Sequence, residues 1–174
     1  MPAPAPTFTG SFAAPFGTLQ LVVDTAGNLL RLDLPGPQRA RSNEPPGQQL
    51  ESARCAHVVA QLAEYFAGTR RDFTLPLAPH GTPFQLAAWA ALRTIPFGTT
   101  TSYQEQARRL GRPTATRAVG AANGRNPLPI VVPCHRVIGK DGSLVGFGGG
   151  LPCKQWLLQH EAAVLARTGL ESPR

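Results

Sequence analysis

Acidic residues are scarce in this chain: ten Asp and Glu face seventeen Lys and Arg, for a formal net charge of +7 over 174 residues. Cysteine is scarcer still. The three, Cys55, Cys134 and Cys153, are odd in number and irregular in spacing, which argues against a disulfide framework and for a reducing compartment. No run of about 20 apolar residues is present, so no membrane span and no membrane partner are expected. The start, Met1-Pro2-Ala3-Pro4-Ala5-Pro6, lacks a basic segment and an apolar stretch, so no secretion signal is read and a cytoplasmic location is expected. CxxC and HExxH are both missing, and Cys55-Ala56-His57 is the only close Cys/His pair besides Cys134-His135, so no metal and no cofactor are expected. There is no internal repeat.

What is present is an ordinary globular composition, 42% hydrophobic, in a chain long enough for one good core or two small ones. The pattern divides near residue 78. The first part, 1–78, predicts an α/β domain: a hairpin with strands at 18–24 and 29–34 around a Thr25-Ala26-Gly27-Asn28 turn, a helix over 51–67 stopped by Gly68, and a short strand over 72–77. Residues 1–6 read as flexible and the Pro/Gly/Gln-rich stretch 35–49 as an exposed loop. Pro76, Pro79 and Pro83 mark a linker. The second part, 79–174, opens with an apolar helix over 83–92 whose Phe84, Ala87, Ala88 and Ala91 share a face.

Residues 99–123 then predict two short helices joined by a tight turn. Ser102 has N-cap chemistry with Glu105 three residues on, Gly111 suits a helix stop, and Pro113-Thr114 can open the next helix. The result is a helix-turn-helix. Charge gives that pattern weight. Between Arg93 and Lys140 seven arginines and one lysine face Glu105 alone, so this stretch holds an excess of +7 and the remaining nine basic residues balance the remaining nine acids. A regional excess of this kind suits a polyanion, nucleic acid before membrane.

The chemistry is expected where Ile130-Val131-Val132-Pro133 runs into Cys134-His135-Arg136. The apolar residues read as a buried strand that ends at Pro133, which places Cys134 on a rigid corner. A free cysteine is more often an inert core residue, the reading kept for Cys55 and Cys153. Cys134 differs because the ionisable His135 and Arg136 follow it, and cations near sulfur favour the nucleophilic thiolate. On an extended segment adjacent side chains point apart, so His135 is expected to reach the thiol only through a bridging water.

These residues resemble the O6-alkylguanine-DNA alkyltransferase family, the methylated-DNA-protein-cysteine methyltransferases. The likeness rests on Pro133-Cys134-His135-Arg136-Val137, Arg117-Ala118-Val119-Gly120, Asn126-Pro127, Ser102-Tyr103, Phe147-Gly148-Gly149-Gly150 and His160-Glu161, with Tyr65-Phe66-Ala67-Gly68 and Gly81-Thr82-Pro83-Phe84-Gln85 also fitting. It implies a ribonuclease H-like N-terminal domain with a small antiparallel sheet and helix, and a mostly α, winged-helix-like C-terminal domain carrying the helix-turn-helix and the alkyl acceptor.

The resemblance further implies direct DNA repair by a single-turnover protein. Cys134 would take the alkyl group from O6-alkylguanine irreversibly, with O4-alkylthymine as a second candidate substrate. His135 would act through water as the base, and Glu161, on a helix beginning near Lys154, would orient it. Tyr103 would supply a proton to the leaving base and Asn126 would hold the loop beside the cysteine. Val137, Phe147, Gly148 and Gly149 would line the base site, with the carbonyls of Cys134 and Val137 reading the guanine amine. Arg117 would fill the space left by a flipped nucleotide in duplex DNA entered from the minor groove. Ala118 and Ala121 would allow close approach, and Ser102, Arg108, Arg109, Arg112 and Arg125 would contact the backbone. A monomer is expected. Phe147 stands where the family often has tyrosine, so only packing carries over there. The alternative reading is a non-catalytic lesion sensor or helix-turn-helix regulator of similar fold.

Overall fold

The computed structural model describes residues 5–36, 49–50 and 52–169, and the chain divides into two units, Met1–His80 and Gly81–Arg174. In the first unit a hairpin is joined by a strand that the sequence reading did not anticipate. β1 (Thr7–Ala14) pairs antiparallel with β2 (Gly17–Asp24), which pairs antiparallel with β3 (Leu29–Asp33). The two-residue β4 (Gln49–Leu50) adds to the far edge of β1 in parallel, giving the order β3-β2-β1-β4. Apart from Ala5, Pro6, Pro35, Gly36 and Gln49, the segments expected to be flexible or looped lie outside the described residues. α1 (Ser52–Ala67) covers the sheet with Cys55, Val58, Leu62 and Tyr65, an i, i+3, i+7, i+10 stripe that is fully buried. Gly68 ends it in the left-handed region at φ +78°.

The strand expected over 72–77 does not form. One bridge joins Leu29 to Leu77, closed by Leu29 N to Pro76 O at 2.8 Å and Ala78 N to Leu29 O at 3.0 Å. Pro76 has no amide hydrogen to extend the ladder.

The second unit is mostly helical. α2 (Pro83–Leu92) starts in a complete capping box, Thr82 with Gln85, and buries Ala88, Trp89 and Leu92. The buried face is therefore turned from the expected one: Ala87 is exposed, because the bulky Trp89 and Leu92 take the core side. Short β5 (Thr101–Ser102) leads into α3 (Tyr103–Arg109), and α4 (Thr116–Gly124) follows a turn through Gly111 at φ +70°. Arg112 N reaches back to Ala107 O at 3.0 Å, a helix stop that needs a left-handed residue. Ser102 Oγ caps α3 by accepting from Glu105 N at 3.1 Å, yet the Glu105 carboxylate turns away to Arg108 and Arg109. α4 begins at Thr116 behind Ala115, without a side-chain cap, rather than at Pro113-Thr114.

A buried polar network fixes the angle between these helices. Gln106 Nε2 donates to Ala88 O and Asn123 Oδ1, each at 3.1 Å, and Asn123 Nδ2 returns a bond to Gln106 Oε1 at 2.7 Å. Trp89 Nε1 donates to Ala122 O at 2.9 Å. Every helix of the trio is thus tied to another through groups that water cannot replace. β6 (Val137–Ile138) pairs in parallel with β5, and α5 (Leu151–Arg167), which starts three residues before Lys154, closes the unit.

Gln106→Leu leaves both polar ends of Asn123 buried without a protein partner and is expected to destabilise the unit by about 1–3 kcal/mol in chemical unfolding. Adding Asn123→Leu is expected to restore part of the loss. A double variant no better than the single one would show that the network contributes nothing beyond shape.

Candidate active site and nucleic-acid face

The apolar run before Cys134 is buried but is not a strand. Three prolines, 127, 129 and 133, remove the donors a ladder would need, and the chain instead folds back, Val132 N bonding Leu128 O at 2.8 Å. Ile130 sits at φ +74°, the sole non-glycine residue with positive φ among those described. A β-branched residue there is strained, and the surrounding contacts must hold it. Asn126 staples the turn: its Nδ2 donates to Val132 O at 2.8 Å and its Oδ1 accepts from Leu128 N at 3.0 Å.

Cys134–Arg136 then form one turn of 3-10 helix, not an extended corner. Cys134 is 8% exposed, and His135 and Glu161 are fully buried. His135 Nε2 lies 2.8 Å from Glu161 Oε1. Arg136 grips the same carboxylate in two-pronged fashion, Nη2 to Oε1 at 3.0 Å and Nε to Oε2 at 3.0 Å, and Gly98 N donates to Oε2 at 2.8 Å. Gly98 has φ +73°, and a Cβ there would run into the Leu165 side chain, so this donor requires glycine.

Burial alone would raise the Glu161 pKa, but the bond from His135 and the charge and hydrogen bonds of Arg136 outweigh it and hold the carboxyl well below the usual range. An ionised carboxylate only accepts, so Nε2 of His135 carries the hydrogen. Nδ1 is left as a lone pair, buried and without a hydrogen-bond partner. Burial also pushes the His135 pKa down; Glu161 opposes this, and Arg136 and Lys154 add to it. The imidazole is a neutral acceptor.

The expectation of a thiolate favoured by its cationic neighbours is overturned. His135 Nε2 and the Nε and Nη2 of Arg136 donate to Glu161, and burial pushes the Cys134 thiol up. The Asn126 side chain and the Lys154 ammonium pull the other way without overcoming it. Cys153, also buried, is pushed up to about 12, chiefly by burial.

Lys154 was not anticipated as a site residue. It is fully buried, and its Nζ donates to Val137 O at 2.6 Å and Val145 O at 2.9 Å while standing 5.7 Å from the Tyr103 ring centroid. The missed signal lay in register. Lys154 and Glu161 share the buried stripe of α5 with Leu157 and Leu165, and a charge in the apolar phase of a helix needs a partner.

The pairing of β5 with β6 sets Tyr103 beside this turn. Its hydroxyl donates to Val145 O at 3.0 Å, and burial raises its pKa, so it stays protonated. Val137 is buried with its carbonyl taken by Lys154, and the Cys134 carbonyl accepts from Val137 N, so both expected readers of a guanine amine already hold one bond. Phe147 and Gly149 are half-buried and Gly148 is exposed.

The basic residues form a separate surface. Arg117, Ala118 and Ala121 lie on the exposed face of α4, with Arg125 exposed at its end. Arg112 is exposed in the turn, 5.6 Å from the Phe84 ring centroid. Arg108 and Arg109 are not free: both pair with Glu105, at 2.8 and 2.9 Å, and hold its carboxyl down to about 2. Such exposed pairs are weak, and two arginines on one acid leave net positive charge. Ser102 Oγ is occupied as the α3 cap. Among the described residues no group of His, Cys, Asp and Glu is arranged to hold a metal, and no helix is long and apolar enough to cross a membrane.

Comparison with known proteins agrees over both units. Residues 83–163 match the 6-O-methylguanine DNA methyltransferase DNA binding domain, and residues 8–79 match its ribonuclease-like domain. The chain belongs to this family. A methylated-DNA–protein-cysteine methyltransferase of Methanosarcina acetivorans is 42% identical over 153 residues, covering 87% of this chain and 96% of the relative. That of Shigella flexneri is 57% identical over 106 residues, 60% of this chain; the match spans 62% of the relative's own length. Among solved structures, an OGT of Mycobacterium tuberculosis crystallised in complex with DNA superposes with a TM-score of 0.82 at 39% identity, covering 90% of this chain and 94% of that one. The expected two-domain fold is the one described above, and β4 puts a parallel edge strand on the otherwise antiparallel sheet.

The lowered pKa values of His135 and Glu161 set the pH dependence of stability. Both groups bind fewer protons folded than unfolded, so stability is present at neutral pH and is lost as pH falls. The loss begins near the ordinary histidine value of about 6.5 and deepens below the ordinary Glu value of about 4.3. Urea midpoints measured from pH 8 to 4 are expected to fall in these two stages, and His135→Gln is expected to remove the first. A midpoint constant from pH 7 to 5 would contradict a neutral buried His135.

Proposed function

We propose that this protein repairs DNA by moving the alkyl group of O6-alkylguanine, once and irreversibly, onto Cys134. The observation that carries the reading is the bare Nδ1 of a buried, neutral His135, fixed by Glu161 one residue from a buried thiol. A thiol pushed up by burial needs a base at the moment of reaction, and an imidazole whose other nitrogen is bound to a carboxylate can take that proton through a water. Sulfur then attacks the alkyl carbon in line. The S–C bond forms as the C–O6 bond breaks, and guanine leaves. Tyr103 gives the departing base a proton once its hydroxyl lets go of Val145 O, and the thiol's hydrogen replaces it by way of His135 and solvent. Over the whole step the hydrogen of Cys134 ends on guanine. Asn126 keeps the loop and sulfur in register. The loop of Phe147, Gly148 and Gly149, with Val137, borders the base.

Duplex DNA is the proposed partner. The exposed face of α4 offers small residues, Ala118 and Ala121, for close approach to the minor groove, and Arg117 to occupy the stack after the nucleotide turns out. Arg112 and Arg125, with Ser102 and the displaceable Arg108 and Arg109, meet the backbone. We take the protein to act as a cytoplasmic monomer without cofactor or metal, and O4-alkylthymine as a further substrate. The low exposure of Cys134 favours one competing reading, a lesion sensor that binds without transfer.

Incubation with duplex DNA carrying O6-methylguanine is expected to raise the intact mass by one CH2 unit, on Cys134, with one equivalent consumed. Cys134→Ala is expected to bind the same DNA and gain nothing. Unchanged mass with tight binding would favour the sensor, and methyl released into solution over many turnovers would contradict a single-use acceptor. Arg117→Ala is expected to slow transfer from duplex about tenfold or more while sparing reaction with the free alkylated base, because only the duplex requires unstacking at a few kcal/mol.

A further inference from the structure

Glu161 is bound by more donors than a carboxylate that only orients a base requires. Its Oε1 accepts from His135 Nε2 at 2.8 Å and Arg136 Nη2 at 3.0 Å, and its Oε2 accepts from Arg136 Nε at 3.0 Å and Gly98 N at 2.8 Å. Arg136 is itself pinned on its third nitrogen, Nη1 donating to Ile95 O at 2.6 Å, with the guanidinium carbon 5.6 Å from the Phe97 ring centroid. The guanidinium therefore cannot swing away.

The charges around His135 are few. α5 presents Glu161 and Lys154, the turn itself presents Cys134 and Arg136, and β5 and α3 bring Tyr103. The segment 95–98 contributes backbone groups, and α2 has no ionisable residue. Glu161 is the only acid among them. In a dry interior an unshared carboxylate 2.8 Å from an imidazole would hold a proton on it, and a base that already carries a proton cannot take another.

We propose that Arg136 is a positioning residue for alkyl transfer: by covering both oxygens of Glu161 it lets that carboxylate aim His135 without keeping a proton on it, so that the imidazole is free to receive the one from Cys134. This rests on the reading of Cys134 as alkyl acceptor. Burial is the main cause that keeps His135 neutral, and the Arg136 charge acts in the same direction. The buried Lys154 ammonium adds a second reason, since a further cation beside it is unfavourable.

The test is the pH profile of single-turnover transfer from O6-methylguanine duplex. Arg136→Met is expected to move the acidic limb upward by about one unit, so that transfer falls roughly tenfold more at pH 6 than at pH 9. Arg136→Lys, which keeps one charge but not the fork, is expected to restore the limb in part. An arginine needed only for folding would lower the rate equally at every pH and leave the limb in place, and that result would overturn the proposal. Should Arg136→Met not fold, Arg136→Lys decides: the 15N shifts of its His135 are expected to show imidazolium at a higher pH than in the wild-type protein, whose His135 is expected to be neutral with hydrogen on Nε2 at pH 6, and no difference between the two would overturn the proposal. An imidazolium at pH 7 in protein that does take up the methyl group would sink the charge assignment alone. Neutral His135 in protein that takes up nothing would sink the acceptor reading instead.

Discussion

The buried Glu161 carboxylate is the constraint on which the second unit depends. A charge in the interior is tolerated only when every lone pair is answered, and here α5 supplies the acid while the Cys134–Arg136 turn and the 95–98 segment supply the donors. The Gly98 amide reaches it only because glycine accepts φ +73° where a side chain would strike Leu165. Three stretches of chain that lie far apart in sequence thereby meet on one carboxylate. The orientation of His135 follows from that fixing.

The same interior explains why the thiol is stored in its neutral form. Burial outweighs the nearby Lys154, so the thiol keeps its proton. Lys154 has no carboxylate partner among its bonds and rests on two carbonyls, Val137 O and Val145 O. Because Tyr103 shares Val145 O, one backbone oxygen ties the glycine-rich loop to both the lysine and the tyrosine. A base that opened this loop would disturb all three together.

Charge at the surface is organised by different means. α4 has a buried edge of Val119, Ala122 and Asn123 and an opposite face of arginine and alanine, and the Gln106–Asn123 pair sets its angle to α3 and α2. The positive face is thus held rigidly by neutral hydrogen bonds rather than by ion pairs, which salt would weaken. The arginines of α3, engaged with Glu105, are the adaptable part of that surface.

Sequence alone determined whatever depends on local pattern and on the order of motifs. The hairpin, α1, α2 and the helix-turn-helix follow from periodicity, caps and glycine stops, and the regional excess of arginine is a matter of counting. The family motifs pointed to Cys134, His135, Glu161 and Asn126 as candidates, and the fold pairs His135 with Glu161 and Asn126 with Cys134. Tertiary structure decided what depends on neighbours remote in the chain. β1 and β4 were missed because Thr7–Ala14 sets only Phe8 and Phe12 among small and polar residues, which is little apolar signal, and a two-residue strand carries none. Ile130–Val132 looked like a strand, yet three prolines left no ladder for it to join. His135 and Arg136 looked like cations beside a sulfur; only the fold shows both turned onto Glu161, which leaves the thiol neutral and brings Lys154 close. Sequence spacing fixes which groups exist, but a protonation state is set by desolvation and by distances across the fold, and no local pattern encodes those.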